Sequence, residues 1–351
     1  MVRRVGASAL LFPAVSALFA TGCPPNLNDT TSMVTGPMVL AVQSTPAEAA
    51  PGTAVSYTAL VAAPLDAGSP TIFWDYCNAR NPLSNLGPVN PACVQAGSSG
   101  LLSLGAGLRA AGAIPLAACG NFGPNAPPAV DGGAEGGAGL AVDPDSTGGY
   151  YQPVMAFETA ASTEATLYQM RLSCGFSGAS EASQGTLTAR YHLNTNPAVS
   201  SLTSGSASLV TSEHGAKNRV SVGSTLSLVV AWPTCPLVDQ CGDGVCGADE
   251  SAKSCPADCT NPKGCAGAER YVNLDVASQT VVDQREGIHV SWYTTVGSFA
   301  QDRTGNAGTD DAVTSANQWT APSSPQDVTL WVVLHDDRGG IGWETYALSV
   351  R

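Results

Sequence analysis

The sequence predicts an all-β protein made of two β-sandwich domains, the second carrying a disulfide-rich insertion. Three observations carry that prediction. Short runs such as TAVSYTALVAA at 53–63 alternate apolar and polar residues with the period of two that a half-buried strand requires. Glycine (38) and proline (24) exceed their average usage of roughly 7% and 5% and punctuate the chain into short elements. Charged residues make up only 12% of the 351, and no long charged stretch with helical periodicity follows the leader.

Residues 1–22 read as a secretory signal peptide. Arg3 and Arg4 precede an apolar run from Ala7 to Ala20, and small residues lead to Cys23. Ala20-Thr21-Gly22-Cys23 resembles the lipobox of bacterial lipoproteins, with Ala20 where that family usually has Leu; the resemblance implies lipid on Cys23 and attachment to a membrane. The other reading is an ordinary signal peptide followed by an unrelated cysteine. Setting Cys23 aside leaves ten of eleven cysteines, an even number suited to five disulfides. Residues 23–36 then form the lipidated cysteine and a polar tether. An exported, oxidising location follows, at the outer membrane or cell surface.

The first sandwich is expected over 37–195. Val39–Gln43 and Thr53–Ala63 read as strands, the second with Val55, Tyr57, Ala59 and Val61 on one face. Pro70–Cys77 (PTIFWDYC) adds an aromatic pair for the core. This order, with Pro51-Gly52 before the second strand and Trp74 on the third, resembles bacterial immunoglobulin-like domains, without the second-strand cysteine of antibody domains. From about 78 to 147 the pattern fades into a Gly-, Pro- and Ala-rich insertion, mobile in its middle. Strands resume at Gly149–Ala160, Ala165–Cys174 and Gly185–Leu193. Cys77, Cys93, Cys119 and Cys174 allow three connectivities, of which Cys77–Cys93 with Cys119–Cys174 would pin the insertion to the core.

The second sandwich is expected over 196–351. Asn196–Leu202 resembles the opening strand of bacterial immunoglobulin-like and PKD-like domains. Leu226, Leu228, Val230 and Trp232 alternate as an inward face, as do Ile288, Val290 and Trp292. Val328–His335 and Ile341–Val350 form a hairpin whose reversal is Asp336–Gly340. Between these strands lies the insertion 235–265, with Cys235, Cys241, Cys246, Cys255, Cys259 and Cys265. So small and cysteine-dense a segment needs cross-links or metal to hold it. Zinc is the rival of disulfides, because Cys241-x4-Cys246 and Cys255-x3-Cys259 approach its ligand spacing; export favours disulfides. Cys235 would bond Cys265 at the base, with the other four paired among themselves, and Ser224–Trp232 and Gly267–Ser278 would flank the insertion in one sandwich.

The mature chain as a whole resembles surface lipoproteins of myxobacteria, through DPDSTGGYYQP, CGDGVCGADE…CPADC and LWVVLHDDRGGIGW. That resemblance implies location and supplies no activity.

Chemistry is sparse. Asp143, Asp145 and Thr147 place oxygens at alternate positions before a glycine, like half an EF-hand-type calcium loop, but Val154 occupies the twelfth place where a bidentate Glu belongs. Asp243, Asp249, Glu250 and Asp258 offer a second calcium set in the knot. For both sets the alternative is solvated loop carboxylates. His192, His214, His289 and His335 form no local site, and Gly242-x-Gly244-x-x-Gly247 lacks the βαβ unit of a dinucleotide fingerprint. A net charge of −13 without a basic cluster disfavours nucleic acid. Apart from calcium, no cofactor is expected.

The function expected is therefore non-enzymatic: a lipid-anchored envelope protein presenting loops to a surface protein or glycan. The alternatives are a carbohydrate-binding or hydrolase-associated module, an enzyme whose site is assembled from distant carboxylates, or a passive envelope component.

Overall fold

The computed structural model describes residues 31–351 except 64–69, 83–84, 86, 125–141, 160–161, 163–164, 177–178, 238–239, 245, 247–249, 261–263 and 276. The leader, Cys23, the first part of the tether, the middle of the 78–147 insertion and Asp249 lie outside these residues, as does the side chain of His214. Residues Thr31–Arg351 make up one compact unit, mostly strand, cross-linked by five disulfides.

Residues 38–172 build two sheets. One holds β1 (Met38–Thr45), β3 (Ala54–Ala62) and β6 (Arg109–Ala113) in the order β1-β3-β6. The other holds β2 (Glu48–Ala49), β4 (Phe73–Cys77), β5 (Leu101–Ala106), β7 (Tyr150–Phe157) and β8 (Thr166–Leu172) in the order β2-β8-β7-β4-β5. Between them lie Val55, Tyr57, Trp74, Tyr76, Val154 and Tyr168. The alternation expected in β3 holds through Ala59 and then shifts, so that Leu60 and Ala62 are buried and Val61 is only partly so. The cause is a bulge in the partner strand, whose register slips between Val39 and Ala41.

Residues 201–350 build the second pair of sheets. The first comprises β9 (Ser201–Ser204), β10 (Ala207–Ser208), β12 (Thr225–Ala231), β16 (Ser298–Phe299) and β18 (Thr314–Thr320), in the order β10-β9-β12-β18-β16. The second comprises β11 (Asn218–Val220), β15 (Ile288–Thr294), β17 (Arg303–Asn306), β19 (Gln326–Asp336) and β20 (Ile341–Val350), in the order β11-β20-β19-β15-β17. Leu228, Val230 and Trp232 face Ile288, Val290 and Trp292 across this core, as their alternation requires, and Trp319 completes it. The other face of β19 and β20 is apolar too. Trp331, Val333 and Ile341 belong to the same buried cluster as the core of residues 38–172, so the two sandwiches meet along an apolar seam.

Several elements depart from expectation. The insertion at 78–147 contributes β5 and β6, which pair with β4 and β3 and so join the two sheets of the first sandwich. Their Ala and Gly content hides the strand pattern. Gly185–Leu193 is not a strand: helix α2 (Glu181–Arg190) runs there, after the short α1 (Ala118–Phe122). Ser180 caps α2 by accepting from Ser183 N, and Leu187 packs on Val272 and Leu274. The strand expected from Asn196 starts only at Ser201. Gly267–Ser278 does not return to the sandwich. Its strand β13 (Arg270–Asp275) pairs with β14 (Thr280–Arg285) in a separate hairpin, and the chain rejoins the sandwich only at β15. The last part of the tether is docked, with Val34 N donating to Thr294 O and Thr31 bonding the Asp302 carboxylate.

Candidate functional site

The disulfides are Cys77–Cys93, Cys119–Cys174, Cys235–Cys265, Cys241–Cys255 and Cys246–Cys259. In the knot, Asp258 is buried and its carboxylate accepts from Gly242 N (2.5 Å) and Gly244 N (2.9 Å). Both glycines hold positive φ, so the carboxylate fixes a turn that L-residues resist. This gives the CGDG…CxxDC pattern its physical reason. Cys241, Glu250, Cys255 and Asp258 bring ligand atoms within 4.8 Å of one another, but Cys241 and Cys255 are bonded to each other and offer no thiolate. Asp243 accepts from Gln240 N.

Two of the segments quoted for the family resemblance, DPDSTGGYYQP and LWVVLHDDRGGIGW, meet at one buried charge cluster, which neither betrays alone. Glu48 enters from β2 and Arg171 from β8, opposite each other in a parallel pair. His192 and Asn194 come from the stretch between the sandwiches, Glu269 and Glu286 from the two ends of the β13–β14 hairpin, and Asp336 and Arg338 from the β19–β20 reversal. All are under 9% exposed, and Arg338 is wholly enclosed. Its guanidinium lies 3.2 Å from Glu48, 3.1 Å from Glu269 and 3.7 Å from Glu286, and donates to His192 O. It also stands 5.0 Å from the centre of the Tyr271 ring. Arg171 Nε lies 3.3 Å from Glu48, and His192 Nε2 lies 3.4 Å from Glu269.

The loop 143–149 serves this cluster. Asp145 Oδ1 accepts from Thr147 N, Thr147 Oγ1 and Gly149 N, while Oδ2 accepts from Tyr151 OH. Arg171 in turn donates to Thr147 Oγ1 (2.7 Å) and Thr147 O (3.1 Å). Of the calcium candidates in this loop, Asp145 and Thr147 thus lie among N–H and O–H donors with a guanidinium beside them, and Asp143 is exposed. A Cβ at Gly149 would collide with that guanidinium. Gly148, at φ 74°, leaves room for Asn273, whose amide donates to Ser146 O. The DPDSTGGYY segment is therefore a bracket for Arg171 and a clasp to the hairpin.

Four carboxyls share two guanidiniums here, and their proton affinities divide accordingly. Burial would raise the Glu48 carboxyl, but Arg171, Arg338 and the hydrogen bonds of Tyr191 and Asn194 together hold it below the usual carboxylate range. Burial pushes Glu286 well up, reinforced by the nearby Asp336 and Glu269 carboxyls. Burial likewise lifts Asp336 to about 6, against the opposing pull of Gly340 N–H and Arg338. Chemically this is a locked structural junction: its groups are sealed from solvent and bound to one another.

The histidines are divided between the buried cluster, which holds His192, and the β15–β19 pair. His289 stands opposite His335 across β15 and β19 and pairs with Asp337 at 3.2 Å, and among the described residues no histidine hydrogen-bonds to a Ser, Thr or Cys side chain. No helix among the described residues is long and apolar enough to cross a membrane. Five disulfides indicate an extracellular or exported protein.

A loop-lined groove of about 550 Å³ lies between the loop closed by Cys77–Cys93 and the segment that leads into β7. Sequence reasoning missed both this groove and the charge cluster. The one available signal was Arg171, an arginine embedded in the strand-like run Ala165–Cys174.

No family model matches the chain, and no curated protein is similar to it. Among solved structures, the adhesin InvE of Yersinia pseudotuberculosis aligns at 10% identity over 89% of this chain, with a TM-score of 0.21. Dimeric latent PorU of Porphyromonas gingivalis (10% identity, 90% of this chain) scores 0.20, and trypsin-activated alpha-2-macroglobulin of Escherichia coli (9%, 89%) scores 0.19. The chain spans 58%, 24% and 17% of those proteins, and likeness at such scores carries no argument.

Proposed function

We propose that this chain is a non-enzymatic cell-envelope surface protein, anchored by lipid on Cys23, which presents disulfide-pinned loops on a rigid pair of β-sandwiches for adhesion or ligand binding. One observation carries the reading: every disulfide pins an excursion, and none joins the two sheets of a sandwich. Cys77 and Cys174 sit at the ends of β4 and β8, with their partners in the 78–147 insertion, and the other six cysteines close the knot. The cores hold themselves by apolar burial, so the cross-links serve to fix loop shape. Fixed loops lose less entropy when they bind. The polar network at the junction supports the same reading, because it braces the scaffold and offers no solvent-facing catalytic group.

The test is fractionation and surface labelling of cells that express the chain. Wild type is expected in membranes and accessible to antibody on intact cells, and Cys23→Ser in the soluble fraction. Unchanged membrane partition of the variant overturns the lipid anchor. Labelling seen only after cells are opened overturns the surface role.

A further inference from the structure

The groove beside β7 is walled by cross-linked loops. Its walls are pinned by two disulfides, Cys77–Cys93 on one side and Cys119–Cys174 behind α1 on the other. Its volume falls in the range typical of small-molecule sites. Its asparagines are consumed as braces: Asn85 Nδ2 donates to Asn81 Oδ1 (2.6 Å) and Val89 O (3.1 Å), and Asn90 Nδ2 donates to Arg80 O (2.5 Å). These bonds brace the described part of that wall.

The groups left over define the chemistry. Arg80 is half-buried, its Nη1 is enclosed without a hydrogen-bond partner, and no carboxylate among the described residues pairs with it. That enclosed nitrogen is as closed to a ligand as to water, so it is the accessible remainder of the half-buried guanidinium that faces a ligand as a donor. Asp143 and Gln169 line the same groove and are exposed, and Phe122 and Tyr151 add partly buried aromatic surface. An anionic ligand drawn to Arg80 would meet the carboxylates of Asp143 and Asp145, and a cationic ligand drawn to these would meet Arg80. A neutral polyol suits both, since each hydroxyl donates and accepts, and its C–H faces suit aromatic walls.

We propose that this groove binds a neutral oligosaccharide, with Arg80 donating to ring hydroxyls, Asp143 accepting from them and Gln169 doing either. The assignment rests on the surface-binding reading above and narrows its ligand to one class.

The experiment is calorimetric titration of the full chain with neutral oligosaccharides (maltohexaose, cellohexaose, laminarihexaose and xylohexaose) and with acidic oligogalacturonate, preceded by a screen on an array of neutral glycans. At least one neutral saccharide is expected to bind. Arg80→Gln and Asp143→Asn are each expected to weaken it about tenfold, the cost of one charge-assisted hydrogen bond. Asp311→Asn, outside the groove, should leave affinity unchanged. If Arg80→Gln misfolds, Gln169→Ala on the exposed face of β8 replaces it, with a several-fold loss expected. No binding to any neutral glycan, binding of oligogalacturonate alone, or equal affinity of all variants overturns the proposal. Adhesion of cells carrying the wild-type chain is scored in parallel. Adhesion without saccharide binding removes the groove assignment and leaves the surface role; loss of both removes the surface role as well.

Discussion

The two sandwiches meet through an apolar seam and a charge cluster, and these do different work. The seam joins Trp331, Val333 and Ile341 of the second sandwich to the core of the first. It needs no particular geometry beyond complementary volume, and it supplies driving force in proportion to area removed from water. The cluster joins Glu48 and Arg171 to Glu269, Glu286, Asp336 and Arg338. Desolvating so many charges cancels much of their attraction, so its net contribution is small while all partners are present. What the cluster imposes is register: a guanidinium with three carboxylates around it tolerates one relative placement of β2, the β13–β14 hairpin and the β19–β20 turn. Area gives the junction its strength, and the buried charges give it its geometry.

The sharpest way to break this comparison is to damage each half. Trp331→Ala and Arg338→Met are each expected to cost about 3–5 kcal/mol in urea unfolding, the first by leaving a cavity and the second by stranding buried carboxylates. Combining Glu48→Gln with Arg338→Met should recover part of the second loss, because it removes a stranded charge. It should recover none of the loss from Trp331→Ala. If the Glu48→Gln change helps both variants equally, seam and cluster are not separate devices.

A somewhat smaller effect appears on varying pH. Asp336 keeps its proton in the fold to about pH 6 but loses it near 3.8 when unfolded, so its contribution is present at low pH and lost as pH rises through that interval. Glu286, pushed up by burial, adds to the same fall. His335 does the reverse. Burial, then the positive charges of Arg303 and His289, lower it from 6.5 to about 4, so its contribution is present above pH 6.5 and lost as pH falls towards 4. Each amounts to roughly 3 kcal/mol at most, and the two oppose each other in the wild type. Asp336→Asn keeps the acceptor for Arg338 N and Gly340 N. It should give stability that falls less steeply with rising pH between 4 and 6.5 than the wild type's, whereas His335→Gln should give stability that falls more steeply. Parallel curves for both variants in urea titrations at pH 4, 5, 6 and 7 would show that neither group titrates as its surroundings dictate.

The smallest effect sharpens the role of the bracketing loop. Asp145→Ala removes the acceptor that shapes the turn around Thr147 and should cost about 1 kcal/mol, with hydrogen exchange of Gly149 N–H accelerated. Exchange unchanged at Gly149 would detach the loop from the cluster.

Much of this fold was legible because its rules are local. Alternation marked Leu228, Val230 and Trp232, and Ile288, Val290 and Trp292, as inward faces, and they are buried. The cross-links expected to pin the insertions, Cys77–Cys93, Cys119–Cys174 and Cys235–Cys265, are present. Where local rules conflicted, the reading failed. Gly185–Leu193 carries Thr186, Thr188 and Tyr191, which suit a strand, yet Ser180 caps a helix there, and the apolar surface of Val272 and Leu274 holds it. Asp336–Gly340 has the composition of an exposed turn, yet it delivers Arg338 into the interior.

The sequence by itself determined the strands, the exported oxidised setting and the cysteine-held excursions, since period-two burial and close cysteine spacing act over a few residues. Only the tertiary structure decided that DPDSTGGYY, DDRGG and the residues after the knot form one junction. Glu48 and Arg338 are 290 positions apart, and neither has a local partner that betrays its fate. A charge can be buried only when distant partners arrive together, and that condition belongs to the assembled fold and to no stretch of chain.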